Sequence, residues 1–193
     1  AAASLAWGLA ELFFFHGKMS GVGLASGAVA GLVAITPAAG FVTPLSSIGL
    51  GALAGLASLL AVRVRPHLGL DDALDVFAVH GVAATLGALL TGLLATRAVN
   101  PDGADGGLRL LGVQLVGVAA TYVWSGGLSY GLLKLIGLVT PLRSDEQDEW
   151  TGLDMAESGE RAYINADESA FGQRPEPATQ HVLPELREVA AKS

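Results

Sequence analysis

The chain has 193 residues, 51% of them hydrophobic, with 26 glycines, no cysteine and a mean hydropathy of +0.51. It is too apolar for a soluble domain, and the lack of cysteine excludes disulfides and thiolate metal sites. The net charge of −7 is confined to the C-terminal end, because residues 1–142 balance six acids with six bases while residues 143–193 carry twelve acids and five bases; no basic surface for nucleic acid results.

Ala1 to Phe15 is apolar from its first residue and lacks both methionine and the basic start of a signal peptide. This predicts the remaining part of a membrane helix in a longer protein, with Glu11, His16 and Lys18 at the interface. A second helix is predicted over residues 21–37, where Gly23, Gly27 and Gly31 recur every four residues as a close-packing ridge. Pro37 ends it. A third helix is predicted over residues 43–62, with a second ridge at Gly51 and Gly55, ending in the basic run Arg63, Arg65, Pro66, His67.

The fourth predicted helix, residues 71–96, opens with Asp71, Asp72 and Asp75 and then runs apolar for the ~20 residues that a hydrocarbon core requires. Asp72 and Asp75 fall in its predicted first turn, where carboxylates complement the helix N-terminus. The polar turn over residues 100–107 leads to a fifth helix, residues 109–139, which carries Gln114, Trp124 and Ser125. Residues 143–163 alternate acids and glycines with Trp150, Leu153, Met155 and Tyr163, enough apolar surface to dock as a tail. Residues 164–193 are acidic and proline-rich, and disorder is expected there apart from a short helix over 184–192. The predicted class is therefore an all-α, polytopic membrane bundle with five spans.

His80 lies within the apolar part of the fourth helix. An ionisable group at that depth is costly, so it marks a functional site by default. At helical spacing Val76, Ala83, Ala84 and Gly87 share its face, at offsets of three, four and seven, and all are apolar or small. A neutral imidazole in such a lining donates through one nitrogen and accepts through the other. Two readings stand side by side: a lining for a polar permeant, or a histidine hydrogen-bonded to a neighbouring helix.

Other chemistries find no support. Histidines 16, 67, 80 and 181 show no metal-ligand spacing, and no glycine-rich loop joins a strand to a helix. Ser26, Ser125 and Ser129 are small helix residues without the setting of a nucleophile. No enzymatic activity and no cofactor are expected. With alternating helices, Lys18, Arg63, Arg65, Lys134 and Arg143 fall on one side, against Arg97 and Arg109 beside Asp102 and Asp105 on the other. The positive-inside rule places the first side, and the tail, in the cytoplasm.

Several blocks together resemble the Amt/MEP/Rh ammonium transporters, in particular the bacterial and archaeal Amt branch. Ser26 to Val33 with Thr36-Pro37-Ala38 resembles the eighth helix of that family, and Asp71 to Phe77 with Val79-His80-Gly81 and Thr91-Gly92 its tenth. Trp124-Ser125-Gly126 is similar to the eleventh, and Gly152, Asp154, Gly159, Glu160 and Tyr163 to the cytoplasmic tail motif. The likeness covers residues 1–163, with Ala84 where the family usually has glycine and Ser158 where it usually has histidine.

The resemblance implies the C-terminal part of an eleven-helix, inverted-repeat transporter. It implies a homotrimer in the inner membrane that passes ammonium or ammonia through one narrow pore per subunit. His80 matches the second of two pore histidines, and a PII-type signalling protein is a possible partner at the cytoplasmic face. A sensor of the same fold and a fragment inactive by itself are the competing expectations.

Overall fold

The computed structural model describes residues 1–15, 17–69 and 71–159, and every described regular element is helical. His16, Glu160, Tyr163, His181 and the acidic segment 164–193 with its expected helix over 184–192 lie outside the described residues. Two compact units are present, Ala1–Leu132 and Leu133–Ser193.

In the first unit, α1 (Ala2–Ala10) continues into a π-helical stretch, Glu11–Phe15. Helix α2 (Gly21–Ile35) starts at Ser20, whose hydroxyl accepts from the Gly23 amide at 2.8 Å, and closes in a 3-10 turn, Thr36–Ala38. Thr43 caps α3 (Pro44–Val64) in the same way, accepting from the Ser46 amide at 3.2 Å, with Pro44 at the first helical position. A 3-10 turn, Arg65–Leu68, follows α3 and ends at Gly69 in the left-handed region.

The fourth span begins later than its run of acids predicts. Asp72 and Asp75 precede the helix, because the Asp72 carboxylate accepts from the amides of Val76 and Phe77 at 2.9 and 2.8 Å and so fixes the first turn there. A π-helical stretch, Phe77–Val82, then leads into α4 (Ala83–Leu94). The last described span is α5 (Leu108–Ile136), whose final residues belong to the second unit. Four helices, Gly21–Ala38, Pro44–Leu68, Phe77–Leu94 and Leu108–Ile136, are long and apolar enough to cross a membrane, and Ala2–Phe15 is a shorter apolar helix.

Helix α1 lies between α2 and α3, and glycines set how closely. On α2, a methyl at Gly27 would lie 2.9 Å from Trp7 Cβ, and one at Gly31 would lie 2.7 Å from Ala3 Cβ. From α3, Gly51 faces Ala2 and Ala3, and a Cβ on Gly55 would fall on the Ala3 carbonyl. Ala3, Trp7 and Ala10 are buried in this seat, and the core continues through Ala30, Ala34, Leu50, Ala54, Leu59, Val79 and Ala83, among others. Gly87 meets the Ala34 backbone in the same manner, which brings α4 onto α2.

At one end of the unit the Arg63 guanidinium stacks over the Phe15 ring, 4.1 Å from its centre. At the other, Thr96 N donates to Phe41 O at 2.8 Å, and Arg97 N donates to Asp105 Oδ1 at 2.8 Å, closing the loop before α5. The second unit contains two short helices, α6 (Glu146–Thr151) and α7 (Leu153–Ser158). Gly152 and Gly159 bound α7 with φ of 94° and 67°, a backbone that glycine adopts without a Cβ clash.

Candidate functional site

Glu11 is the first ionisable group to depart from expectation. It is not interfacial but buried, 6% exposed. Its carboxylate accepts from Trp7 Nε1 at 3.1 Å, from Ser20 N at 2.8 Å and from Ser20 Oγ at 3.0 Å. The Ser20 hydroxyl in turn accepts from Gly23 N, and a Cβ on Gly23 would fall on the carboxylate. One acid thus joins the end of α1 to the start of α2, and the glycine leaves room for it.

His80 sits in the π-helical stretch and is exposed, and its imidazole makes no hydrogen bond to a described residue. Val76 and Ala84 are exposed with it, whereas Ala83 and Gly87 are buried against the bundle. The apolar stripe read from helical spacing therefore divides: part of it faces outward with the histidine and part packs inward. π-Helical stretches are rare and are frequent at functional sites. Here the wider turn covers the segment that carries the imidazole.

Directly after His80, Thr85 Oγ1 donates to Gly81 O at 2.7 Å and lies 2.7 Å from the Tyr122 hydroxyl of α5. These hydroxyls belong to a groove of about 740 Å³ between α4, α5 and the end of α2. Ala84 lines it with Thr36, Gln114, Thr121, Tyr122 and Ser125. Thr85 and Tyr122 carry no sequence signal as a pair, because they stand 37 positions apart on helices whose facing sides only the fold fixes.

The approach to this span is held by charge. Arg65 Nη1 lies 2.6 Å from Asp75 Oδ1 and also donates to the Asp72 carbonyl. Asp75 has a φ of 55° and is the one described non-glycine residue with positive φ. Among the described residues no group of three or more His, Cys, Asp or Glu side chains is arranged to hold a metal ion. In the second unit, Gly152, Asp154 and Gly159 of the predicted tail motif lie at the two ends of α7.

Apolar spans with close glycine contacts, one of them carrying an outward histidine, define a multi-pass α-helical membrane protein. Residues 1–163 match the Ammonium Transporter Family. The ammonium transporter of Bacillus subtilis (strain 168) is 45% identical over 169 residues, covering 84% of this chain and 42% of the relative. Among solved structures, Saccharomyces cerevisiae Mep2 superposes with a TM-score of 0.69 at 35% identity, over 76% of this chain and 35% of that one. A sensor Amt protein superposes with a TM-score of 0.70 at 29% identity, over 81% of this chain and 40% of that one. The chain belongs to the Ammonium Transporter Family and spans less than half the length of the curated relatives it matches.

Proposed function

We infer that this chain supplies the C-terminal part of a transporter that passes ammonium or ammonia across a membrane, with His80 lining the path. The observation that carries the reading is an exposed imidazole on an otherwise apolar span, in a chain of this family. A neutral imidazole accepts a hydrogen bond from a small polar permeant without the cost of a permanent charge. Val76 and Ala84, exposed beside it, complete the lining in this reading, whereas Ala83 packs into the bundle, and no enzymatic step is involved.

The basic residues Lys18, Arg63 and Arg65 support an inner-membrane protein with its tail in the cytoplasm. The family implies a homotrimer, and the spaced apolar residues of the tail fit docking on the cytoplasmic face, where a PII-type protein would act. Likeness to a sensor Amt protein keeps signalling through that tail as the second reading.

The test is uptake of methylammonium by the complete transporter in cells lacking their own. His80→Ala is expected to lower uptake by about tenfold or more, with assembly unchanged, because this part of the lining loses its polar group. His80→Glu is expected to keep some conduction with altered selectivity. Wild-type uptake by His80→Ala would remove His80 from the path. Binding without flux in the unmodified protein would favour the sensor.

A further inference from the structure

We propose that Arg65 and Asp75 are positioning residues for His80, setting the rotation with which its helix joins the bundle. The proposal rests on the reading of His80 as a path residue.

The geometry runs through one short segment. Asp75 holds a left-handed backbone that is unfavourable for L-residues and least so for Asp and Asn. Such a conformation persists only where its surroundings over-determine it, and here the Asp75 amide donates to the Asp72 carbonyl at 3.3 Å while one guanidinium lies against both residues. Arg65 Nη1 forms an ion pair with Asp75 Oδ1 at 2.6 Å, an oxygen that accepts no hydrogen bond among the described residues, and donates to the carbonyl of Asp72, so it touches both ends of the turn that precedes the span.

From that contact the order passes directly to the histidine. The Asp72 carboxylate takes the amides of Val76 and Phe77, and the Asp75 carbonyl takes the amide of Val79 at 2.9 Å. His80 is the next residue. The π-helical stretch begins at Phe77, so its register is inherited from the backbone angles at Asp75. Arg65 sits at the end of α3, and α3 also packs on this stretch. Both pairing side chains are partly shielded, with 22% and 31% of their surfaces exposed, so the pair is not a freely solvated one.

The experiment uses the complete transporter and four variants: Arg65→Gln, Arg65→Lys, Asp75→Asn and the double Arg65→Gln/Asp75→Asn. The measurements are methylammonium uptake kinetics per assembled protein and the inhibition of that uptake by ammonium. Asn tolerates the positive φ, so Asp75→Asn removes charge without adding backbone strain. Each neutralising variant is expected to raise the apparent KM about fivefold and to weaken discrimination between ammonium and methylammonium. The double variant should be no worse than the worse single one, because both remove the same interaction. Arg65→Lys should recover most of the affinity.

Unchanged KM and discrimination in Asp75→Asn would overturn the proposal, as would losses in the double variant that simply multiply. A fall in uptake that only follows the amount of assembled protein would show the pair to be structural. Should Arg65→Gln fail to assemble, Asp75→Gly decides, since it keeps the backbone angle and removes the carboxylate; a KM at the wild-type value there overturns the proposal. His80→Ala, measured in parallel, separates the two failures. Lost uptake in His80→Ala with unaffected pair variants defeats the positioning role alone, whereas wild-type uptake by His80→Ala defeats the path reading on which it stands.

Discussion

Glu11 shows what a single side chain decides in this molecule. It stands in an apolar span, accepts from Trp7 and twice from Ser20, and occupies the space that Gly23 leaves open. Glu11→Ala would leave the buried Trp7 indole N–H without an acceptor, a loss of roughly 1–3 kcal/mol, while the exposed Ser20 groups turn to solvent. Glu11→Gln keeps one acceptor oxygen and should cost about half as much. Thermal melting of the purified transporter in detergent checks the order wild type, Gln, Ala; equal melting of wild type and Glu11→Ala would show the carboxylate to be idle. The sequence placed an acid at this helix end, but its burial was not legible. It depends on Ser20, nine positions away, folding back through a loop. Asp75 is a similar case: its place after Asp72 read as part of a helical first turn, and nothing local announced a positive φ.

At the scale of elements, periodicity carried most of the information. Apolar runs of spanning length yield an all-α membrane bundle, and its neighbours in structure are Mep2 and Amt proteins. What periodicity could not supply is partner choice. Four-residue spacing draws a face through Gly23, Gly27 and Gly31, but only the fold shows that α1 meets it, with Gly51 and Gly55 of α3 meeting α1 from another side. The limits of the fourth span were likewise hidden, since Asp72 caps the helix from outside it. Glycines in this chain also differ sharply from one another. A methyl at Gly87 would fall on the Ala34 backbone, whereas one at Gly49 meets nothing within 4 Å. Gly87→Ala is therefore expected to reduce the yield of assembled protein severalfold. Gly49→Ala should be neutral or stabilising by up to about 1 kcal/mol, as alanine is the better helix former. Size-exclusion profiles and melting curves of the two variants test this contrast, and equal behaviour would contradict the packing of α4 on α2.

For the whole molecule, the first unit separates its charges by end. Arg63 and Arg65 lie where α1 and α3 finish, and Arg97, Asp102 and Asp105 lie beyond α4. Family membership, span composition and the imbalance of Lys and Arg were all legible in the sequence, because each is a property of composition along the chain. The groove between α4 and α5 was not, since it depends on where two helices part. This chain has no cysteine, so single cysteines introduced into it report its sidedness once any in the rest of the transporter are replaced. A single cysteine in place of Ala104 should react with an impermeant maleimide added to intact cells. One in place of Leu68 should react only after the membrane is opened. The opposite pattern would invert the orientation proposed from the basic residues.

The glycine contacts have a consequence for bonding as well as for shape. Where a Cβ on Gly87 would fall on the Ala34 carbonyl, and one on Gly55 on the Ala3 carbonyl, the wild-type glycine carries a hydrogen in that direction. A Cα–H aimed at a carbonyl oxygen is a weak hydrogen bond worth about 0.5–1 kcal/mol. In water such a contact competes with solvent for the oxygen, but between apolar spans no solvent competes. Two helix pairs in this chain are thus stitched by carbon donors, at positions where any side chain would remove the donor and the space together.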